Sequence, residues 1–354
     1  MPKKFIISGG GTGGHIFPAV AIANALKKNI PDCEILFVGA EGRMEMQKVP
    51  EAGYAIKGLP IAGLQRSMDL KNLLLPFKVL KSVTMAMKII TDFKPDVAIG
   101  VGGYASAPLL FAAKLKGIPY VIQEQNSYAG ITNKILGKWA KKICVAYDGM
   151  QNFFPKEKIV FTGNPVRAAI SGSKITKQEA LAFFDLAENK KTVLVIGGSL
   201  GARTINQSID AGIDFFVQNN YQLIWQTGKS FNAPPNLPKG EGQRHSSVGK
   251  VSPSGGDLEG AVRVFDFIKQ MDMAYAAADI IISRAGALSV SELCIVGKPC
   301  VLVPSPNVAE DHQTKNAMAL VNKNAAVLVK DTEAKEKLIS TLLELIKDET
   351  QQNQ

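Results

Sequence analysis

His15 is the residue of this chain best placed to move a proton. It closes the run Gly9-Gly10-Gly11-Thr12-Gly13-Gly14-His15, which follows the apolar stretch Phe5-Ile6-Ile7-Ser8. Glycine takes positive φ freely and carries no Cβ, so another group can approach such a backbone closely. A helix leaving the turn aims unpaired amides and the positive end of its dipole at it, which suits a phosphate or pyrophosphate. An imidazole at the lip of such a site changes protonation near neutral pH and is a candidate general base. The glycines also fit G-x-G-x-x-G at Gly9, Gly11 and Gly14, a pattern that any tight strand-to-helix turn can recruit.

A second unit repeats this plan. Thr192-Val193-Leu194-Val195-Ile196 leads into Gly197-Gly198-Ser199-Leu200-Gly201-Ala202-Arg203, again strand, glycine turn and helix. Ser199 and the amides around it read as a cradle for a nucleotide phosphate. Gly197-x-Ser199-x-Gly201 also matches the nucleophile elbow of hydrolases, but the chain has three histidines, and the doubled glycine unit favours phosphate. Further on, Arg284-Ala285-Gly286 opens Ala287-Leu288-Ser289-Val290-Ser291-Glu292. A helix start here can take a phosphate while Glu292, one turn in, reaches sugar hydroxyls. Glu292 has a plainer alternative, that it only complements the helix dipole. An NAD-dependent oxidoreductase would want an acidic residue at the end of the second strand for a ribose hydroxyl. Glu41 comes slightly late for that, and a dehydrogenase gives no reason for the second glycine turn.

The elements that position these residues alternate as strand and helix. Helices are expected over 18–28, 44–52, 108–116 and 130–142, with strands over 34–39, 54–59, 96–100, 119–123 and 143–146. Continuous apolar strands between helices indicate an α/β chain with parallel sheets covered on both faces. Glu124-Gln125-Asn126 follows one of these strands. Near residues 159–167 the chain leaves the first domain. In the second half, regular structure is expected over 262–265, 271–278, 279–283, 288–296, 299–304 and 312–322, with an amphipathic last helix over 332–347. Residues 232–260 are rich in Pro, Gly and Ser and read as a surface loop. The two halves look like two similar Rossmann-type domains.

Composition narrows the partners. The 354 residues are 46% hydrophobic and 20% charged, as in a soluble globular protein of two ordinary domains. No secretory signal is apparent, and Cys33, Cys144, Cys294 and Cys300 lie far apart, so they are expected to be reduced in a cytoplasmic protein. Residues 1–166 hold 21 Lys/Arg against 11 Asp/Glu, so the whole net charge of +10 lies in the first half. Few aromatics and no nucleic-acid motif argue against nucleic acid as partner. An anionic membrane surface or a pyrophosphate fits better. Residues 69–93 mix Leu74, Leu75, Phe77 and Leu80 with lysines and Pro76, too broken to span a bilayer. Two readings stay open there: a core helix with a solvated basic face, or an interfacial helix resting on anionic lipid.

The motifs also occur together in one order. Gly10 to His15, Glu124-Gln125-Asn126, Asn164-Pro165-Val166-Arg167, the turn at Gly197 to Arg203, Arg284 to Leu288 and Asp311-His312-Gln313 follow one another along residues 5–329. In this the chain resembles the MurG family of peptidoglycan N-acetylglucosaminyltransferases, family 28 enzymes of the GT-B fold. The resemblance implies two Rossmann-like domains facing each other across a cleft, with a last helix crossing back to the first domain. The domains would be residues 1–163 with about 333–354, facing acceptor and membrane, and residues 164–332, holding the donor. It implies transfer of N-acetylglucosamine from UDP-N-acetylglucosamine to the C4 hydroxyl of the MurNAc unit of a polyprenyl-pyrophosphate-linked peptide acceptor. The transfer would be inverting, without cofactor or essential metal, by a peripheral protein at the cytoplasmic face of the inner membrane. Another GT-B lipid-directed glycosyltransferase is the alternative.

Carried over by motif, Ser199 and the turn of Ala287, Leu288, Ser289, Val290 and Ser291 meet the diphosphate, and Glu292 the ribose. Ile268 would flank the uracil, Gln313 meet the sugar, and Arg167 reach the donor. Thr12, Gly13, Gly14 and Asn126 would reach in from the first domain, with His15 as base. The chain departs from the family pattern mainly at 232–260, where the connection is longer. His312 stands where members differ and is given no role.

Overall fold

The computed structural model describes residues 2–61, 75–103, 105–198, 201–231, 261–308 and 311–348, with the side chains of residues 75, 76 and 168 left aside. The chain divides into two compact units, Met1–Val166 and Arg167–Gln354. The first contains β1 (Lys4–Ser8), α1 (Gly13–Asn29), β2 (Glu34–Ala40), α2 (Glu45–Glu51), β3 (Ala55–Leu59) and α3 (Leu75–Phe93). It continues with β4 (Val97–Gly100), α4 (Ser106–Leu115), β5 (Tyr120–Glu124), α5 (Ile131–Gly137), β6 (Lys142–Val145) and β7 (Ile159–Phe161).

These strands pair in parallel in the order β3-β2-β1-β4-β5-β6-β7. Successive side chains leave a strand on opposite faces, so β1 feeds two cores at once. Phe5 and Ile7 join Phe37 and Ile99 on one face, under Ile16, Ala19 and Ala23 of α1. Ile6 joins Leu36, Val38 and Ile122 on the other, under Ile89 and Ile90 of α3 and Leu109 and Leu110 of α4. The strand order runs outward in both directions from β1 and β4. In such a sheet ligands bind beyond the carboxyl ends of those two strands.

Two local expectations change. α1 starts at Gly13, not near Pro18, with Thr12 extended ahead of it at φ −145°. Proline signals a first turn because its missing N–H would be an orphan there anyway. Here Pro18 lies buried in the second turn, and Gly13 and Gly14 belong to the helix. In α3, Val83, Ala86, Ile89 and Ile90 are buried, while Phe77 is 71% and Leu80 64% exposed. That helix serves the core in its later turns and presents bare apolar side chains in its first ones. Leu74 lies outside the described residues.

The second unit contains α6 (Ala168–Ser171), α7 (Lys177–Phe183), β8 (Thr192–Ile196), α8 (Arg203–Ala211), α9 (Ile213–Gln218), β9 (Gln222–Gln226) and β10 (Val262–Phe265). It ends with α10 (Met271–Ala277), β11 (Ile280–Ser283), α11 (Ala287–Val296), β12 (Cys300–Leu302), α12 (His312–Val321), β13 (Val327–Leu328) and α13 (Ala334–Lys347). The parallel order is β10-β9-β8-β11-β12-β13, so β8 and β11 repeat the arrangement of β1 and β4. The charged stretch around 174–191 contains α7, started by a capping box in which Thr176 and Glu179 exchange hydrogen bonds. Leu338, Leu342, Leu345 and Ile346 of α13 enter the core of the second unit with Ile205 and Ile209 of α8. The expected loop at 232–260 lies outside the described residues.

Candidate active site

In the first unit the site residues gather at the carboxyl ends of β1, β4 and β5. Thr12 caps α1, Gly13 and Gly14 form its first turn, and the half-buried His15 follows. Thr12 Oγ1 and His15 Nδ1 lie 3.3 Å apart, a contact that fixes the ring while Nε2 points elsewhere. The other side of the ring rests on the β4 turn: a Cβ on Gly102 would come within 2.8 Å of Nε2. Gly103, at φ +87°, has a Cβ position only 2.2 Å from the Gly10 carbonyl oxygen. Only glycine permits this approach of the two turns.

Asn126 stands beyond β5, and a buried carboxylate holds it. Glu124 accepts hydrogen bonds from the Asn126 amide (3.1 Å), the Gly130 amide (3.1 Å) and Asn133 Nδ2 (2.8 Å). Burial pushes the Glu124 carboxyl above its ordinary value, against the pull of these donors. Gln125 Nε2 donates to the Val101 carbonyl at 2.7 Å, next to the turn that supports His15. Gln123 and Asn164 close the network, with Asn164 Nδ2 donating to the Gln125 carbonyl at 2.9 Å.

One important residue escaped the sequence reading. Glu45, 1% exposed, accepts the Gly11 amide at 2.9 Å and the Ala40 amide at 3.0 Å. It therefore braces the glycine turn from behind. Its only sequence signal was its position at the start of a helix, where an acid is expected for dipole reasons alone. Glu41, the acid weighed for a ribose, instead lies across Gly58.

In the second unit, Ser199 lies outside the described residues. A Cβ on Gly201, at φ +78°, would stand 2.2 Å from the Thr227 carbonyl oxygen, and the Gly201 amide closes the turn on the Gly198 carbonyl. Gln226 ties this turn to Ile268, donating to the Gly198 carbonyl at 3.1 Å and accepting the Ile268 amide at 2.9 Å. Ile268 is 3% exposed, so its side chain is core and its amide is already engaged.

Ala287, Leu288, Ser289, Val290 and Ser291 form the start of α11, with Gly286 extended ahead of it. The Val290 amide is committed to the Gly286 carbonyl and the Ser291 hydroxyl to that of Ala287. Gln313, near the start of α12, accepts the Ser305 amide through Oε1, and its NH2 group has no partner among the described residues. Asn316 on the same helix donates to the Ala285 carbonyl at 3.3 Å, tying α12 to the turn before α11.

Glu292 is the most engaged of the predicted residues. Arg167 grips it through Nε–Oε1 at 2.9 Å and Nη2–Oε2 at 3.0 Å, and the Tyr275 hydroxyl donates to Oε2 at 2.9 Å. Burial, then the Glu292 charge, pushes the Tyr275 hydroxyl well above its ordinary value, so it stays a neutral donor. The structure thus joins Arg167 and Glu292, which the sequence treated separately. It adds Tyr275, which nothing in the sequence singled out. Among the described residues no group of three His, Cys, Asp or Glu is suited to hold a metal.

The profile of the glycosyltransferase family 28 N-terminal domain matches residues 5–145, and that of its C-terminal domain residues 192–354. The chain belongs to glycosyltransferase family 28. Both glycine turns, with His15, Arg284 and Glu292, fall inside the matched family 28 regions. A relative from Parabacteroides distasonis is 56% identical over 98% of this chain and 90% of its own length. One from Phocaeicola vulgatus is 58% identical over 97% and 88%. Both bear the name UDP-N-acetylglucosamine–N-acetylmuramyl-(pentapeptide) pyrophosphoryl-undecaprenol N-acetylglucosamine transferase. The crystal structure of Acinetobacter baumannii MurG superposes with a TM-score of 0.70 at 30% identity, covering 98% of this chain and 92% of that one. The GT-B assignment of this family 28 chain follows from that neighbour and from the two parallel Rossmann-like sheets.

Proposed function

We propose that this chain transfers N-acetylglucosamine from UDP-N-acetylglucosamine to the C4 hydroxyl of the MurNAc unit of an undecaprenyl-pyrophosphoryl-linked MurNAc-pentapeptide, a step of peptidoglycan synthesis. The observation that carries this is the identity of more than half of all positions, along nearly the whole chain, to relatives named for that reaction. The second unit offers the donor what it needs. Helix starts beyond β8 and β11 face a diphosphate, Gln313 keeps its NH2 group for a sugar oxygen, and Arg167 supplies a cation for the departing UDP. In the first unit, His15 takes the proton of the acceptor hydroxyl, oriented through Nδ1 by Thr12, while Gly13, Gly14 and Asn126 position the acceptor. Inverting transfer then needs only that the hydroxyl attack the anomeric carbon opposite the leaving diphosphate.

The first unit also carries the membrane reading. Phe77 and Leu80 of α3, Leu115 of α4, Ile131 and Ile135 of α5, and Trp139 just beyond are exposed. Lys114 stands 3.3 Å over the Trp139 ring, an aromatic and cationic pairing suited to an anionic interface. No helix among the described residues is long and apolar enough to cross a membrane. The protein in this reading rests on the inner leaflet, where the lipid acceptor is held.

The test is UDP release from UDP-N-acetylglucosamine in the presence of the lipid-linked acceptor, with UDP-glucose and NADH as controls. Release is expected only with the acceptor and the N-acetylated donor. Turnover of UDP-glucose at the same rate, or thermal stabilisation by NADH and not by UDP, would overturn the assignment.

A further inference from the structure

Arg284 opens one of the motifs above, yet none of the roles already given uses it. Its guanidinium Nη1 donates to the Val303 carbonyl at 3.0 Å, to the Pro304 carbonyl at 3.2 Å and to Asp331 Oδ1. Asp331 Oδ2 in turn accepts the Thr204 hydroxyl at 2.9 Å. Thr204 is the second residue of α8, and Arg284 stands three residues before α11. One carboxylate therefore ties together the two helix starts that follow β8 and β11.

We propose that Thr204 and Asp331 are positioning residues for the donor diphosphate: the chain Arg284–Asp331–Thr204 sets the spacing of the helix starts that receive it. This rests on the donor reading of the second unit. Amides hold an anion only from a fixed distance, and charge-assisted bonds are the strongest means of fixing that distance. The pairing with Arg284 also cancels the Asp331 charge, so the clamp brings no net negative charge near a phosphate. The nucleoside end is held differently, through Gln226 between Gly198 and Ile268. Loss of the clamp should therefore fall on the phosphates and spare the nucleoside.

Calorimetric titration of the full chain with UDP and with uridine, for wild type, Thr204→Val and Thr204→Ser, tests this. Thr204→Val should raise the UDP Kd about 10-fold and move that of uridine by less than about 2-fold. Thr204→Ser, which keeps the hydroxyl, should restore UDP binding. Arg284→Gln cuts the chain at its other end and must show the same split, which keeps the test open if Thr204→Val folds poorly. Equal losses for UDP and uridine, or wild-type UDP affinity in Thr204→Val, overturn the proposal. A wild-type chain that binds neither ligand overturns the donor reading itself, an outcome distinct from the other two.

Discussion

Removing Arg167 should destabilise the second unit mainly through the carboxylate it leaves behind. Glu292 is 7% exposed and gives both oxygens to Arg167, one of them shared with Tyr275. Breaking a fully buried pair typically costs 3–5 kcal/mol, roughly, because one charge stays buried without its partner. The Arg167 side chain is 43% exposed, however, so water screens the pair and the figure must be discounted toward the surface range of about 0.2–1 kcal/mol. Arg167→Ala is expected to cost about 2 kcal/mol, and Glu292→Gln about the same. In a double-mutant cycle the pair should couple by about 1–2 kcal/mol, since each single variant already loses the interaction. Urea denaturation of wild type, both single variants and the double variant measures this. Additive costs, with coupling under about 0.3 kcal/mol, would show that the bidentate contact does not stabilise the fold, and the screening argument would fail.

Three further outcomes are expected. His15→Ala should lower kcat by roughly 10²–10⁴ with the acceptor KM little changed, and a loss confined to that KM would make His15 a binding residue. Glu124 has a folded pKa raised above its ordinary 4.5 by burial, so its contribution is fully present below the unfolded value and is lost as pH rises through the folded one. The stability advantage of wild type over Glu124→Gln should therefore be larger at pH 5 than at pH 8, and denaturation curves showing it grow with pH would refute this. Replacing Phe77, Leu80 and Trp139 by Ser should release the protein from anionic vesicles in a sedimentation assay, and undiminished binding would assign these side chains no lipid contact.

The strands were legible because a parallel sheet buried on both faces demands unbroken apolar runs, and β1, β2, β4 and β8 show them. β9 was missed, though Leu223, Ile224 and Trp225 are fully buried, because glutamines flank that core on both sides. The glutamines look like solvent positions in sequence. In the structure Gln222 serves Ala187 and Thr192, and Gln226 serves Gly198 and Ile268. The glycine turns could be read from composition because their backbone conformations leave almost no other residue possible. The partners of charged side chains could not. Arg167 and Glu292 lie 125 positions apart, and nothing local distinguishes Asp331 from an ordinary helix-start acid.

The two glycine turns share a plan and differ in what stands behind them. At the first, the Gly11 amide points inward to Glu45, and the His15 and Ile16 amides turn to the Thr12 carbonyl. Only the amides of Gly13 and Gly14 are left without an intrahelical acceptor, and a buried carboxylate lies beneath the turn. That arrangement favours a hydroxyl and any positive charge gathering beside it more than a bare phosphate. At the second, Asp331 is the acid joined to the start of α8 among the described residues, and Arg284 already balances it. A helix dipole whose neighbouring acid is already balanced favours an anion at its start. The strand–turn–helix unit is thus repeated with a different carboxylate behind each turn. That carboxylate is braced by amides in the first unit and by a guanidinium in the second.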